Sequence, residues 1–174
     1  MVVGGMSARG PLPLIKVPNK ATVNAEYYIQ YVLKPYLERE VGRLYPGEES
    51  KVTLLHDKAS SQTANLTTAY LPDLRDAGGP NHISKEDIPT KSPDISPMDL
   101  FGFGHLKQRL FLRKATTLEG LWKVLKGEWL TVTPQMYRKV FESWKRRCRA
   151  VSKVHGEHIE QTKTIHSRVL RDLN

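Results

Sequence analysis

The apolar and polar positions along the chain divide it into a short β-rich start followed by a series of helices. Val2 to Ser7 and Pro11 to Val17 are β-favouring stretches around Ala8-Arg9-Gly10, which predicts two strands joined by a tight, glycine-containing turn. Asn24 stands where a helix N-cap belongs, with Val23 and Tyr28 spaced as a hydrophobic staple and apolar residues recurring at Tyr28, Val32, Tyr36 and Leu37. Pro35 lies inside that pattern, so the helix is expected to kink or break near Lys34. Lys51 to His56, with Val52, Leu54 and Leu55, predicts a compact strand ending at Asp57, followed by a helix around Gln62 to Leu71.

The stretch from Pro72 to Pro97 is rich in Pro, Gly, Asp and Ser and reads as loop, with one short strand near Glu86 to Ile88. Pro97 suits the first position of a helix running through Asp99, Leu100, Phe103, Leu106 and Leu110, which puts Asp99 in its first turn. A further helix is expected from Thr117, with Leu118, Leu121, Trp122, Leu125 and Trp129 inward. The last is capped by Thr133 with Pro134 at its first position. Along it Met136, Tyr137, Val140, Phe141, Trp144, Cys148 and Val151 form one apolar stripe, read as core and not as a stacking platform.

Charge changes this picture in one respect. Residues 1–99 carry 11 basic and 12 acidic side chains, whereas residues 100–174 carry 16 basic and 6 acidic, a net +10. A polyanion would therefore meet mainly the second half of the chain, and nucleic acid is the leading candidate. Lys107, Arg109, Arg138, Lys139, Lys145, Arg146, Arg147 and Arg149 are the candidate contacts; a merely solvated basic surface is the alternative. The single cysteine, Cys148, excludes an internal disulfide and a cysteine-built zinc site. No stretch approaches the length needed to span a bilayer, so no membrane partner is expected. Asn65-Leu66-Thr67 is read as a chance sequon, His155 and His158 as solvated residues, and Gly102-Phe103-Gly104 lacks the context of a phosphate loop.

Two segments carry candidate chemistry: Leu54-Leu55-His56-Asp57-Lys58-Ala59-Ser60-Ser61-Gln62-Thr63-Ala64 and Ser92-Pro93-Asp94-Ile95-Ser96-Pro97-Met98-Asp99-Leu100-Phe101. A carboxylate at the end of a buried strand and another in the first turn of a helix can converge on a hard divalent cation. Two such cations about 3.5–4 Å apart activate a water or a 3′-hydroxyl and stabilise the leaving oxygen of a phosphodiester. The residues alone favour a structural reading, in which Asp57 ends a strand and Asp99 complements the helix N-terminus.

Both segments resemble the mariner-type DNA transposases, in which an Asp-Asn-Ala type motif ends a central strand and a Ser-Pro-Asp-x-x-Pro-x-Asp/Glu motif carries the last acid. Val3-Gly4-Gly5-Met6-Ser7, Val23-Asn24-Ala25-Glu26-Tyr27-Tyr28, Val32-Leu33-Lys34-Pro35 and Trp144-Lys145-Arg146-Arg147-Cys148 with Gly156 resemble further family segments, in the same order. The resemblance implies an α/β, ribonuclease-H-like mixed sheet flanked by helices over residues 1–159, with a tail over 160–174. It implies Asp57 and Asp99 as the second and third catalytic, metal-holding acids, Asp94 as a structural residue, Mg²⁺ or Mn²⁺ as cofactor, DNA as partner and the nucleus as location.

Two departures qualify it. Lys58 stands where the family has Asn, and the family's first acid lies on a strand before the segment that begins this chain. The expectation is an N-terminally truncated catalytic domain, inactive as it stands, with its first strand missing unless a homo-oligomer or another transposase chain supplies it. The rival expectation is a non-catalytic nucleic-acid-binding or interaction protein using the basic C-terminal helices.

Overall fold

The computed structural model describes residues 1–57, 59–87 and 95–153. They belong to two compact units, Met1–Gly5 with Arg9–Lys91 and Met6–Ala8 with Ser92–Asn174. Lys58, Ile88, the Ser92-Pro93-Asp94 part of the second motif, His155, Gly156, His158 and the tail over 160–174 lie outside the described residues.

The first unit opens with the expected hairpin. Strand β1 (Val2–Val3) pairs antiparallel with β4 (Ile15–Lys16), Val2 opposite Lys16 and Val3 opposite Ile15, and the Leu12 N–H donates to the Gly5 carbonyl at 2.9 Å. Two further short strands, β2 (Met6–Ser7) and β3 (Gly10–Pro11), lie between them in sequence. A long helical run, α1, follows as Ala25–Tyr28, a π-helical Ile29–Glu40 and Val41–Leu44. Asn24 caps it by accepting the Tyr27 N–H at 2.8 Å, and Val23 packs on the cluster that holds Tyr28, so cap and staple both form.

One face of α1 is the core of this unit. Tyr28, Ile29, Val32, Leu33, Tyr36, Leu37 and Val41 are buried with Leu71, and Val3, Leu12, Ile15, Val52 and Leu54 pack around them. The Tyr36 hydroxyl donates to the Pro13 carbonyl at 2.6 Å, which ties the hairpin to the helix. Strand β5 (Thr53–Leu54) pairs in parallel with β6 (Asn81–His82); between them run α2 (Ser60–Thr63) and α3 (Asn65–Asp76). Gly78, at φ +88°, and Gly79 turn the chain out of α3, and a Cβ at Gly79 would meet the Leu74 carbonyl oxygen at 2.8 Å.

The second unit is helical apart from β2. Helix α4 consists of a π-helical Met98–Gly102 and an α-helical Phe103–Arg113, and is followed by α5 (Leu118–Leu130) and α6 (Pro134–Lys153). Thr133 caps α6 through the Met136 N–H at 3.3 Å, as the sequence predicts, and Thr117, near which the sequence starts α5, caps that helix through the Gly120 N–H at 3.1 Å. Phe101, Val132, Tyr137 and Val140 form the core, with Met6 and Met136 against it. All seven residues of the α6 stripe are buried or half-buried. Among the described residues no helix is long and apolar enough to cross a membrane.

Four local expectations are corrected. Of the kink or break expected near Lys34, the break is absent: the π turns of Ile29–Glu40 carry the chain past Pro35, a residue that lacks an N–H and would crowd an α-helical carbonyl. Likewise α3 runs past Pro72 to Asp76, and a break at Ala64 separates it from α2. The short strand lies at Asn81–His82, while Glu86 and Asp87 form a turn. Finally, Leu118 is 56% exposed and not inward.

Tyr137 is fully buried, and its hydroxyl has no hydrogen-bond partner among the described residues. Tyr137→Phe keeps the ring and removes an unpaired oxygen, so urea denaturation should show stability maintained or raised by about 1 kcal/mol. A loss of more than about 1 kcal/mol would mean that the hydroxyl is bonded in solution.

Candidate metal and nucleic acid site

Asp57 owes its position to the parallel pairing of β5 with β6. The Asn81 N–H donates to the Val52 carbonyl at 2.8 Å and the Ile83 N–H to the Leu54 carbonyl at 3.0 Å, while the Asn81 side-chain amide donates to the Ser50 carbonyl at 2.6 Å. Beyond Leu54 the chain leaves the sheet, and Asp57 is exposed. One of its carboxylate oxygens accepts the Ala59 N–H at 3.0 Å, an Asx-type turn that leads into α2. Thr67, fully buried, donates its hydroxyl to the Ser61 carbonyl at 2.7 Å and fixes α2 against α3.

His56 turns inward next to it. Its ring lies nearly parallel to that of Tyr28, at 6.3 Å between centroids. Burial holds the imidazole below the usual histidine range, the negative charge of Asp57 opposes this, and His82 adds to it. The Tyr28 hydroxyl is pushed up by burial and then by Asp57. A recess of about 250 Å³ beside these groups is lined by His56, Gln62, Thr68, Leu71, His82 and Glu86 among others.

Asp99 sits in the first turn of α4 and is exposed. Its N–H donates to the Ser96 hydroxyl at 3.3 Å, and the Leu100 N–H donates to the Ser96 carbonyl at 2.9 Å. A carboxylate there also complements the positive end of the helix dipole. The indole N–H of Trp144 on α6 donates to the Ile95 carbonyl at 2.8 Å and anchors the segment that leads into this turn. Close packing holds the other side, since a Cβ at Gly102 would meet the Met6 methyl at 2.9 Å. Sequence reasoning assigned Trp144 to the core stripe and missed its hydrogen bond; the indole N–H, which needs a partner when buried, was the available signal.

The basic candidates divide by surroundings. Lys107, Arg138, Lys139, Lys145, Arg146 and Arg149 are exposed, and Arg147 is half-buried. Arg109 is exposed but faces Glu128, Nε to carboxylate at 3.8 Å, and Arg113 reaches the same carboxylate at 2.8 Å. Glu128, only 7% exposed, thus draws two arginines of α4 onto α5, an interaction that charge counting alone does not reveal. Among the described residues no three His, Cys, Asp or Glu side chains gather into a metal-holding group.

No protein-family profile matches the sequence, and no curated protein matches it. Solved structures do. A Mos1 transposase paired-end complex with the left transposon end superposes at a TM-score of 0.75 and 22% identity, covering 91% of this chain and 44% of that one. A pre-cleavage Mos1 transpososome gives 0.74 and 21%, covering 89% and 44%. The Mos1 transposase catalytic domain with Raltegravir and Mg gives 0.73 and 22%, covering 91% of this chain and 76% of that one. The chain thus spans under half the length of the Mos1 chains in the two complexes. Its mixed α/β fold is that of the Mos1 catalytic domain.

His82 and His105 are also held below the usual histidine range, His82 by burial and then Arg75, His105 by burial and then Arg109 against the opposing pull of Glu128. A histidine whose folded pKa is depressed binds its proton more readily in the unfolded chain, so its contribution is complete above an unfolded pKa of about 6.5 and is lost as pH falls below it. The urea midpoint should therefore be lower at pH 5.5 than at pH 7.5, with His105→Asn showing a smaller drop. A midpoint that rises on acidification would contradict this.

Proposed function

We propose that the chain belongs to the mariner-type DNA transposases and forms part of their ribonuclease-H-like catalytic domain, with Asp57 and Asp99 as two of the acids that hold Mg²⁺ or Mn²⁺. The observation that carries this reading is the fold likeness over 91% of the chain; the sequence segments around Asp57 and Asp99, which resemble the family's motifs in kind and order, support the choice of these two acids. The Mos1 structures that contain a transposon end, Mg or Mn support DNA and a divalent cation as partners here.

The donor chemistry fits the cation. Carboxylate oxygens are hard ligands, and Mg²⁺ is commonly held by one or two carboxylates while water and phosphate oxygens fill its remaining positions. When bound, such ions activate the attacking oxygen and stabilise the leaving one. The protein's part is to hold each acid in place. The Ala59 N–H orients the Asp57 carboxylate, and Ser96 together with the Trp144 anchor fixes the turn that carries Asp99. The exposed cations Arg138, Lys139, Lys145, Arg146 and Arg149 of α6 bind phosphates and supply affinity without reading sequence.

A second reading, nucleic acid binding without catalysis, draws on α6 alone. That helix carries seven basic residues and one acidic residue, Glu142. It predicts DNA affinity that falls steeply with salt and is indifferent to Mn²⁺ and to Asp99→Ala.

Mn²⁺ binding, followed by water-proton relaxation, separates the two. Asp57→Asn and Asp99→Asn should each weaken binding about tenfold or more, with the fold retained by circular dichroism. Mn²⁺ affinity unchanged in both variants would remove the metal role and leave the second reading.

A further inference from the structure

The second unit presents an aromatic ring to solvent beside a cluster of cations. Phe111 on α4 is 84% exposed and its neighbour Leu112 64%, so two adjacent apolar side chains stand in solvent. Lys107 lies one turn before Phe111 on the same helix face, and Lys114 follows as the C-cap. Gly104, a further turn back, faces open space: among the described residues nothing lies within 4 Å of where its Cβ would stand. Phe103–Arg113 contains no acidic residue.

Lys114 is a second anomaly at the same place. It adopts the left-handed conformation, φ +45° and ψ +43°, where glycine or asparagine usually ends a helix. The sequence thus places a cation where a less strained residue would serve the turn. An exposed aromatic ring between two lysines matches a recurring surface for single-stranded nucleic acid, in which a base stacks on the ring while its neighbouring phosphates meet the cations.

We propose that this face of α4 binds single-stranded nucleic acid, with Phe111 stacking an unpaired base and Lys107 and Lys114 meeting the adjacent phosphates. Charge complementarity selects this occupant over a second copy of the chain, because a twofold contact through the same face would oppose the lysines to each other. The proposal rests on DNA as the partner but not on metal or on either acid. It adds a stacking contact with an unpaired base to the phosphate contacts proposed for α6.

The test uses the full chain, a short single-stranded oligonucleotide containing 2-aminopurine, and a blunt duplex. Wild type should bind the single strand and quench 2-aminopurine; Phe111→Ala should bind about tenfold more weakly with little quenching, and Phe111→Trp should restore both. Lys107→Gln should reduce the slope of log affinity against log salt by about 0.7. As Phe111 is exposed, the variants should keep the wild-type melting temperature. Equal affinity and quenching in wild type and Phe111→Ala would overturn the proposal. Duplex binding without single-strand binding would overturn it while leaving the DNA reading intact, and no binding to either would overturn both. If Phe111→Ala instead abolished a concentration-dependent rise in mass at unchanged DNA affinity, the face would belong to a second copy and the proposal would fall.

Discussion

Val32 and Leu33, each 1% exposed, sit at the centre of the buried face of α1, and the first unit is built outward from them. The hairpin meets this face through Val3, Leu12 and Ile15 and is held by the Tyr36 hydroxyl on the Pro13 carbonyl. Strand β5 meets it through Val52 and Leu54, and α3 through Leu71. Burial of this kind stabilises by roughly 1.5–3 kcal/mol for each large apolar side chain, more than any single surface ion pair. The position of Asp57 therefore follows from helix packing: α1 seats β5, β5 pairs with β6, and the acid comes three residues after the strand ends at Leu54.

The second unit uses a different device. Its apolar core is small, and α4 is joined to α5 by a carboxylate as well as by packing. Glu128 lies nearly buried with Arg113 at 2.8 Å and Arg109 at 3.8 Å. Removing one partner from such a cluster costs more than the cluster contributes, because it strands a desolvated charge. Part of the basic character of α4 is thus structural, while Lys107 and most of the α6 cations are exposed to solvent.

The sequence revealed what local chemistry decides. Asn24 and Thr133 were legible as caps because the oxygen of each side chain bonds an N–H three residues ahead, and the α6 stripe was legible because its period is helical. The junctions that carry Asp57 and Asp99 were legible in part: a proline-led helix carries Asp99 in its first turn as expected, whereas the strand expected over Lys51 to His56 is confined to Thr53–Leu54 and ends three residues before Asp57. What escaped was non-local. Asn81 and His82 have no β preference, and they form a strand because Val52 and Leu54 offer carbonyls across the parallel pair. Pro35 and Pro72 sit in helices that tertiary packing holds together. The Trp144 bond to Ile95 spans 49 positions in sequence, so no motif predicts it.

The proposed common role of Asp57 and Asp99, as acids that hold one divalent-cation site, is the central claim. Anomalous diffraction from crystals soaked in Mn²⁺ tests it directly. The account predicts manganese peaks within coordination distance of a carboxylate oxygen of both Asp57 and Asp99, at about the 2.0–2.6 Å typical of hard cations on oxygen. Manganese bound elsewhere, with neither carboxylate among its ligands, would contradict it.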